Sequence, residues 1–238
     1  MRAHTRPPQA LGLQAMTASE LVDFETLRTR QAVREPFPYV IVSGFIRSEA
    51  QAGIETDFPE IIHHGSFPLA SLRYGPRFAA LIADLTGREM TGLVENKLGI
   101  DLAGRPTTVT VRGVSRAADG QIHTDSKSKL VTLLLYMNEA WESSHGRLRL
   151  LRRADSLEDY VAEVPPDRGT LLLFKNGPEA WHGFEPFEGP RRVIQVNWVL
   201  DEHVVRREGA RHRLSAFMKT LFGRKRGSAQ ETSHASAN

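Results

Sequence analysis

"QIHTDSKSKLVTLLLYMN", residues 121–138, joins a polar His-x-Asp to an apolar run. In an extended chain His123 and Asp125 project to the same side, because side chains alternate faces along a strand. The run from Lys129 to Met137 is far too short to cross a bilayer and reads as a buried strand. The ordinary reading of the pair is a surface turn, since average residue usage makes chance His-x-Asp matches common. The other reading is part of a metal site at the mouth of a strand. The residues around the pair decide between them.

Downstream, the texture repeats. "TTVTVRGV" (107–114), "GRLRLLR" (146–152), "DYVAEVP" (159–165), "GTLLLF" (169–174) and "RRVIQVNWVL" (191–200) are strand-like runs separated by Gly, Pro, Asn and Asp. Closely spaced short strands of this kind argue an antiparallel sandwich or barrel. Upstream the pattern is mixed. Residues 17–34 space Leu21, Phe24 and Leu27 at helical steps, and 36–46 reads as a short buried strand. Ser48 and Gln51 resemble a capping box, and 75–100 reads as two helices broken near Gly87. The expected organisation is a flexible tail at 1–16 and a helical and strand support region at 17–106. A β core follows at 107–200, then a basic helix at 201–226 and a disordered tail at 227–238.

Composition narrows the chemistry. The chain has 238 residues, a length that buries a full core without staples. It has no cysteine, which excludes disulfides, thiolate metal sites, iron–sulfur clusters and a cysteine nucleophile. That fits a reducing compartment, and a cytoplasmic location is the expectation. Net charge is only +3, but residues 206–226 carry eight Lys/Arg against Glu208 alone. Such a segment is ordinarily a solvated helix face; the alternative is contact with nucleic acid or an anionic membrane. Nothing in the sequence reports the oligomeric state.

The third member of a metal site stands 57 residues past Asp125, at His182. Two imidazoles and one carboxylate are the ligand set of a non-haem Fe(II) facial triad, which leaves coordination positions open on the opposite face. An α-keto acid chelating such an iron leaves a far carboxylate to be neutralised. Arginine suits that task through its planar fork. Adjacent Arg191 and Arg192 open the last strand. Alternation groups Arg192 with Ile194, Val196 and Trp198, and Arg191 with Val193, Gln195 and Asn197. The apolar companions select Arg192 as the inward arginine. Tyr136, on one face with Leu134 and Thr132, is a second candidate donor to the same carboxylate. His145 and the His63-His64 pair read as loop residues.

With these residues in view, the chain resembles the Fe(II)/2-oxoglutarate-dependent oxygenase superfamily, in its prolyl-hydroxylase-like branch of bacterial type. The matching order is His123-Thr124-Asp125, "TLLLYMNEAW" with Tyr136, "HGRLRLL", "GTLLLF", His182, then Arg192 with Trp198 six residues on. The resemblance implies a mainly β chain with flanking helices, built as a double-stranded β-helix, a jelly-roll or cupin-like barrel. It implies Fe(II) on His123, Asp125 and His182, 2-oxoglutarate on Arg192 and Tyr136, dioxygen as the oxidant and ascorbate as auxiliary reductant. The expected reaction is hydroxylation with release of succinate and CO2. The primary substrate stays open: a protein side chain such as proline, a free amino acid, or a sugar or secondary metabolite. The alternatives are a cupin-type metal enzyme without 2-oxoglutarate and a non-catalytic sensor or binding module on the same fold.

Overall fold

The computed structural model describes residues 19–207. The expected tails at 1–16 and 227–238 lie outside the described residues, and so does the basic segment beyond a helical stretch at 202–207.

The N-terminal region forms helix α1 (Phe24–Thr29), strand β1 (Tyr39–Val42) and helices α2 (Ser48–Thr56), α3 (Pro76–Thr86) and α4 (Arg88–Leu98). Helix α1 is shorter than its apolar spacing suggests. Asp23 caps its start by accepting from the backbone N–H groups of Glu25 and Thr26, and Val33 bridges to Tyr39, which draws the chain into extended form. Phe24 and Leu27 are buried as the spacing requires. Helix α2 begins at Ser48, but Arg47 holds the cap position and no side chain closes it. The break at Gly87 stands: its backbone turns extended, with φ −74 and ψ 171, between α3 and α4, and a Cβ there would lie 2.9 Å from the Ala83 carbonyl oxygen.

The strand-like runs become β3 (Thr107–Ser115), β4 (Lys129–Tyr136), β5 (Leu148–Leu151), β6 (Tyr160–Val164), β7 (Leu171–Lys175) and β9 (Gly189–Val199), with two-residue strands β2 (Phe67–Pro68) and β8 (His182–Gly183) added. They build a large antiparallel sheet in the order β1-β7-β4-β9-β3-β2 and a small one in the order β6-β5-β8. The chain is therefore mainly β with flanking helices. Hydrogen bonding between the described strands does not close the sheets into one continuous barrel.

Both faces of the large sheet are covered, and this decides where every strand side chain goes. One face carries Val131, Leu133, Leu135, Ile194, Val196 and Trp198, packed with the helices. The opposite face turns Tyr136, Leu172, Phe174 and Val193 toward Leu148, Leu150 and Val164 of the small sheet. Trp198 is fully buried on the helix side, and its indole N–H donates to Thr91 of α4 at 3.3 Å. Burying large apolar side chains contributes about 1.5–3 kcal/mol each, so the helix-covered face claims the most apolar set.

Candidate metal and co-substrate site

The two histidines meet through the backbone. His123 donates its N–H to the His182 carbonyl and His182 returns the bond, both at 3.0 Å. This antiparallel bridge leaves the ring centroids 4.4 Å apart. Asp125 follows on the same side, and one ligand atom from each of His123, Asp125 and His182 lies within 4.8 Å of the others. The loop leading to His123 is pressed onto β8. Gly120 has φ +89 and a Cβ there would sit 2.5 Å from the Phe184 carbonyl oxygen, so only glycine fits. Phe184 donates its N–H to the Gly120 carbonyl at 2.9 Å, which seals that approach.

The donor chemistry fits a divalent cation. Nδ1 of His123 lies 2.7 Å from the Gln121 carbonyl oxygen, and Nδ1 of His182 lies 2.9 Å from that of Ala180. A carbonyl only accepts, so each Nδ1 carries the proton and each Nε2 keeps its lone pair for a metal. Burial, with His123 nearby, pushes the His182 imidazole down to about 4, which keeps it neutral near pH 7. Burial by itself would raise the Asp125 carboxyl. The Lys129 ammonium at 2.8 Å and the Thr132 hydroxyl at 2.6 Å outweigh it and hold Asp125 below the ordinary carboxylate value. Thr132 is itself fixed by Asn176, whose side-chain amide donates to it at 2.9 Å.

These groups line one side of a cavity of about 560 Å³ between the two sheets. At its far end lies Arg191, only 4% exposed. Its Nε donates to the Gly146 carbonyl at 2.8 Å, an Nη donates to the Tyr136 hydroxyl at 3.4 Å, and the guanidinium lies over the Phe184 ring at 4.1 Å. Among the described residues Arg191 has no ion pair with a carboxylate. A buried guanidinium without a counter-charge is costly unless a ligand supplies one. Burial raises the Tyr136 phenol, partly offset by Arg191, so Tyr136 retains a proton to donate. Along β4 the cavity side runs from Thr132, bonded to Asp125, through Leu134 to Tyr136, bonded to Arg191, with Val193 opposite Tyr136; Leu148 lines the same cavity.

Arg192 is a correction. The structure turns it out of the cavity, with its side chain 42% exposed and 3.6 Å from Glu55. Alternation had grouped the strand properly, but the inward and outward faces are exchanged. The apolar set Ile194, Val196 and Trp198 goes to the helix-covered face, and Arg191, Val193, Gln195 and Asn197 line the cavity. Tyr136 does line the cavity, together with Thr132 and Leu134. His145 lies at the surface beside Glu185. Arg112, Thr132, Gln195 and Asn197 line the cavity too, and so do Lys129 and Asp119, which the sequence pattern did not mark. The polar spacing of Arg191, Gln195 and Asn197 was the available signal, since a cavity tolerates polar side chains that a helix-covered face does not.

Comparison with known proteins agrees with this architecture. A family model described as the 2OG-Fe(II) oxygenase superfamily matches residues 113–200. No curated protein matches the chain. Among solved structures, a Pseudomonas putida prolyl-4-hydroxylase is similar, at 17% identity over 74% of this chain and 89% of that one, with a TM-score of 0.50. A prolyl 4-hydroxylase of Phytophthora capsici is similar at 17% identity over 79% of this chain and 68% of that one, also with a TM-score of 0.50. The resemblance read from the sequence is thus borne out, and the fold is the double-stranded β-helix of these oxygenases. No helix among the described residues is long and apolar enough to cross a membrane.

Proposed function

We propose that this protein is an Fe(II)- and 2-oxoglutarate-dependent dioxygenase that hydroxylates its primary substrate. His123, Asp125 and His182 hold the metal; Arg191, assisted by Tyr136, holds the far carboxylate of 2-oxoglutarate. The β core at 107–200 carries the site, and the described part of the 17–106 region, from residue 19 on, supports it by covering the outer face of the large sheet. With its co-substrate and dioxygen, Fe(II) in such a site supplies oxidative decarboxylation to succinate and CO2 coupled to insertion of oxygen into a C–H bond.

The residues of the chain supply placement and charge. The paired backbone bonds between His123 and His182 fix the separation of the two rings, and the carbonyls of Gln121 and Ala180 fix their tautomers. Lys129 and Thr132 keep Asp125 ionised and oriented. Leu134, Leu148 and Val193 match the methylene stem of a dicarboxylate and exclude water from it. Tyr136 donates from its protonated hydroxyl to the carboxylate that Arg191 neutralises.

The observation that carries the reading is Arg191: a buried guanidinium without a carboxylate partner among the described residues, lining the same cavity as a two-histidine, one-aspartate cluster. A cupin-type metal enzyme without a keto acid has no use for that charge. The test is anaerobic titration of the metal-free protein with Fe(II), then with 2-oxoglutarate, followed by succinate measurement after dioxygen is admitted. One Fe(II) per chain, saturable 2-oxoglutarate binding and succinate formation are expected. Stoichiometric metal binding without any 2-oxoglutarate binding would overturn the reading in favour of a simpler metal site.

A further inference from the structure

One wall of the cavity, its second or β3 lobe, is built on β3, which pairs with β9 so that Thr110 faces Gln195 and Arg112 faces Val193. The cavity residues on and beside this wall are Ser66, Thr110, Arg112, Asp119, Gln121 and Gln195, with Ala118 and Gly120 among them. The apolar lining, Leu134, Leu148, Phe184 and Val193, is shared with Arg191. His123, Asp125 and His182 line the same cavity, so a molecule on the β3 wall shares it with the reacting centre.

The charges in the second lobe are unequal in availability. Asp119 is saturated. It accepts from Arg112 at 2.7 Å, from the Ser115 hydroxyl at 3.4 Å, and from the backbone and Nε of Arg116 at 3.3 Å. Arg112 is not: one Nη donates to Asp119 and the other to Ser66 at 3.2 Å. The guanidinium carries further N–H groups, and its side chain is still 24% exposed. The lobe therefore offers donors and no free carboxylate.

The cavity's charge balance points the same way. Arg112, Lys129 and Arg191 oppose Asp119 and Asp125, which leaves 3 − 2 = +1 with the histidines neutral. The charges of a divalent metal and of dianionic 2-oxoglutarate cancel, so the loaded cavity keeps that single excess positive charge. Such a cavity favours a ligand that neutralises the excess charge and rejects one that adds to it.

We infer that the β3 lobe is the primary-substrate subsite and takes a small polar molecule bearing one anionic group, a carboxylate or a phosphate, bound by Arg112. The inference rests on the dioxygenase reading above. Arg112 is the specificity-determining residue: its uncommitted N–H groups bind the anion, while Thr110 and Gln195 meet the neutral polar part of the molecule. Lys129 is already engaged with Asp125 and does not serve the anion.

The test uses the whole protein loaded with Mn(II) and 2-oxoglutarate, which holds the site without turnover. The probes are N-acetyl amino acids against their primary amides, and glycerol 2-phosphate against glycerol. Paramagnetic broadening of probe protons by bound Mn(II) reports both affinity and closeness to the metal. At least one anionic probe should bind about tenfold more tightly than its neutral partner, the scale of one hydrogen bond to a charged group. The two arms distinguish carboxylate from phosphate. R112Q should bring the pair to parity, and R112K should retain part of the preference. D119N raises the cavity charge by one and should enlarge the preference, so it decides the matter should R112Q not fold. Equal binding of charged and neutral probes, no binding by any anionic probe, or a preference that survives R112Q would overturn the inference. Calorimetric titration of 2-oxoglutarate into the Mn(II) protein separates the two levels. Failure there removes the dioxygenase reading and this subsite together; success there with no anion preference removes the subsite alone.

Discussion

Replacing Arg191 by Met tests the co-substrate assignment and separates binding from folding. Arg191 is 4% exposed and stacks on Phe184, and methionine keeps much of the stem packing without the charge. Loss of one partner of a buried, hydrogen-bonded charge pair costs about 2–5 kcal/mol. That corresponds to a rise of about 30-fold to a few thousandfold in the dissociation constant of 2-oxoglutarate. Stability of the metal-free protein should fall by no more than about 3 kcal/mol. The variant loses the bond to the Gly146 carbonyl, worth about 1.5–3 kcal/mol from a charged donor, and the longer one to Tyr136, but also removes the cost of a buried charge that has no ion pair among the described residues. Arg192→Ala should change 2-oxoglutarate affinity by less than about fivefold, because its half-exposed pair with Glu55 is worth about 0–1 kcal/mol. The assay is anaerobic titration of 2-oxoglutarate into the Fe(II) protein, read by charge-transfer absorption, with thermal unfolding of the metal-free variants alongside. If Arg192→Ala weakened binding and Arg191→Met did not, the cavity face of β9 would be the wrong one and the co-substrate assignment would fall.

His182→Ala should abolish tight Fe(II) binding while far-ultraviolet circular dichroism stays native; stoichiometric iron in that variant, by metal analysis, would disprove the ligand set. Thr132→Val should destabilise the protein by about 1–3 kcal/mol, because Asp125 loses a donor and Asn176 an acceptor inside the sheets; chemical denaturation measures this. Gly120→Ala should be destabilising and should weaken metal binding as well, since the new Cβ meets the Phe184 carbonyl and pushes the His123 loop off β8; calorimetry and metal titration report the two effects. Asp23→Ala should cost about 0.5–2 kcal/mol through loss of the α1 cap, with metal affinity unchanged, by denaturation and metal titration.

Much of this molecule is written in local patterns. Period-two runs became strands at 107–115, 129–136 and 189–199, and the break between α3 and α4 fell at Gly87, where a side chain would meet the backbone of the preceding turn. His123, Asp125 and His182 were legible because a two-residue spacing and strand alternation are properties of the chain itself, and their convergence follows from one antiparallel bridge. The division of β9 into two sets was equally local. Which set faces the cavity was not. An apolar set marks the solvent-hidden face only when one face is covered. Here helices cover one side of the large sheet and the small sheet covers the other, so Ile194, Val196 and Trp198 could satisfy either. Packing against the helices decided it, and with it the exchange of Arg192 for Arg191. The Lys129 and Thr132 bonds to Asp125, and the Arg112–Asp119 pair beside them, depend on loops folded back over the sheet, a geometry that no spacing along the chain encodes.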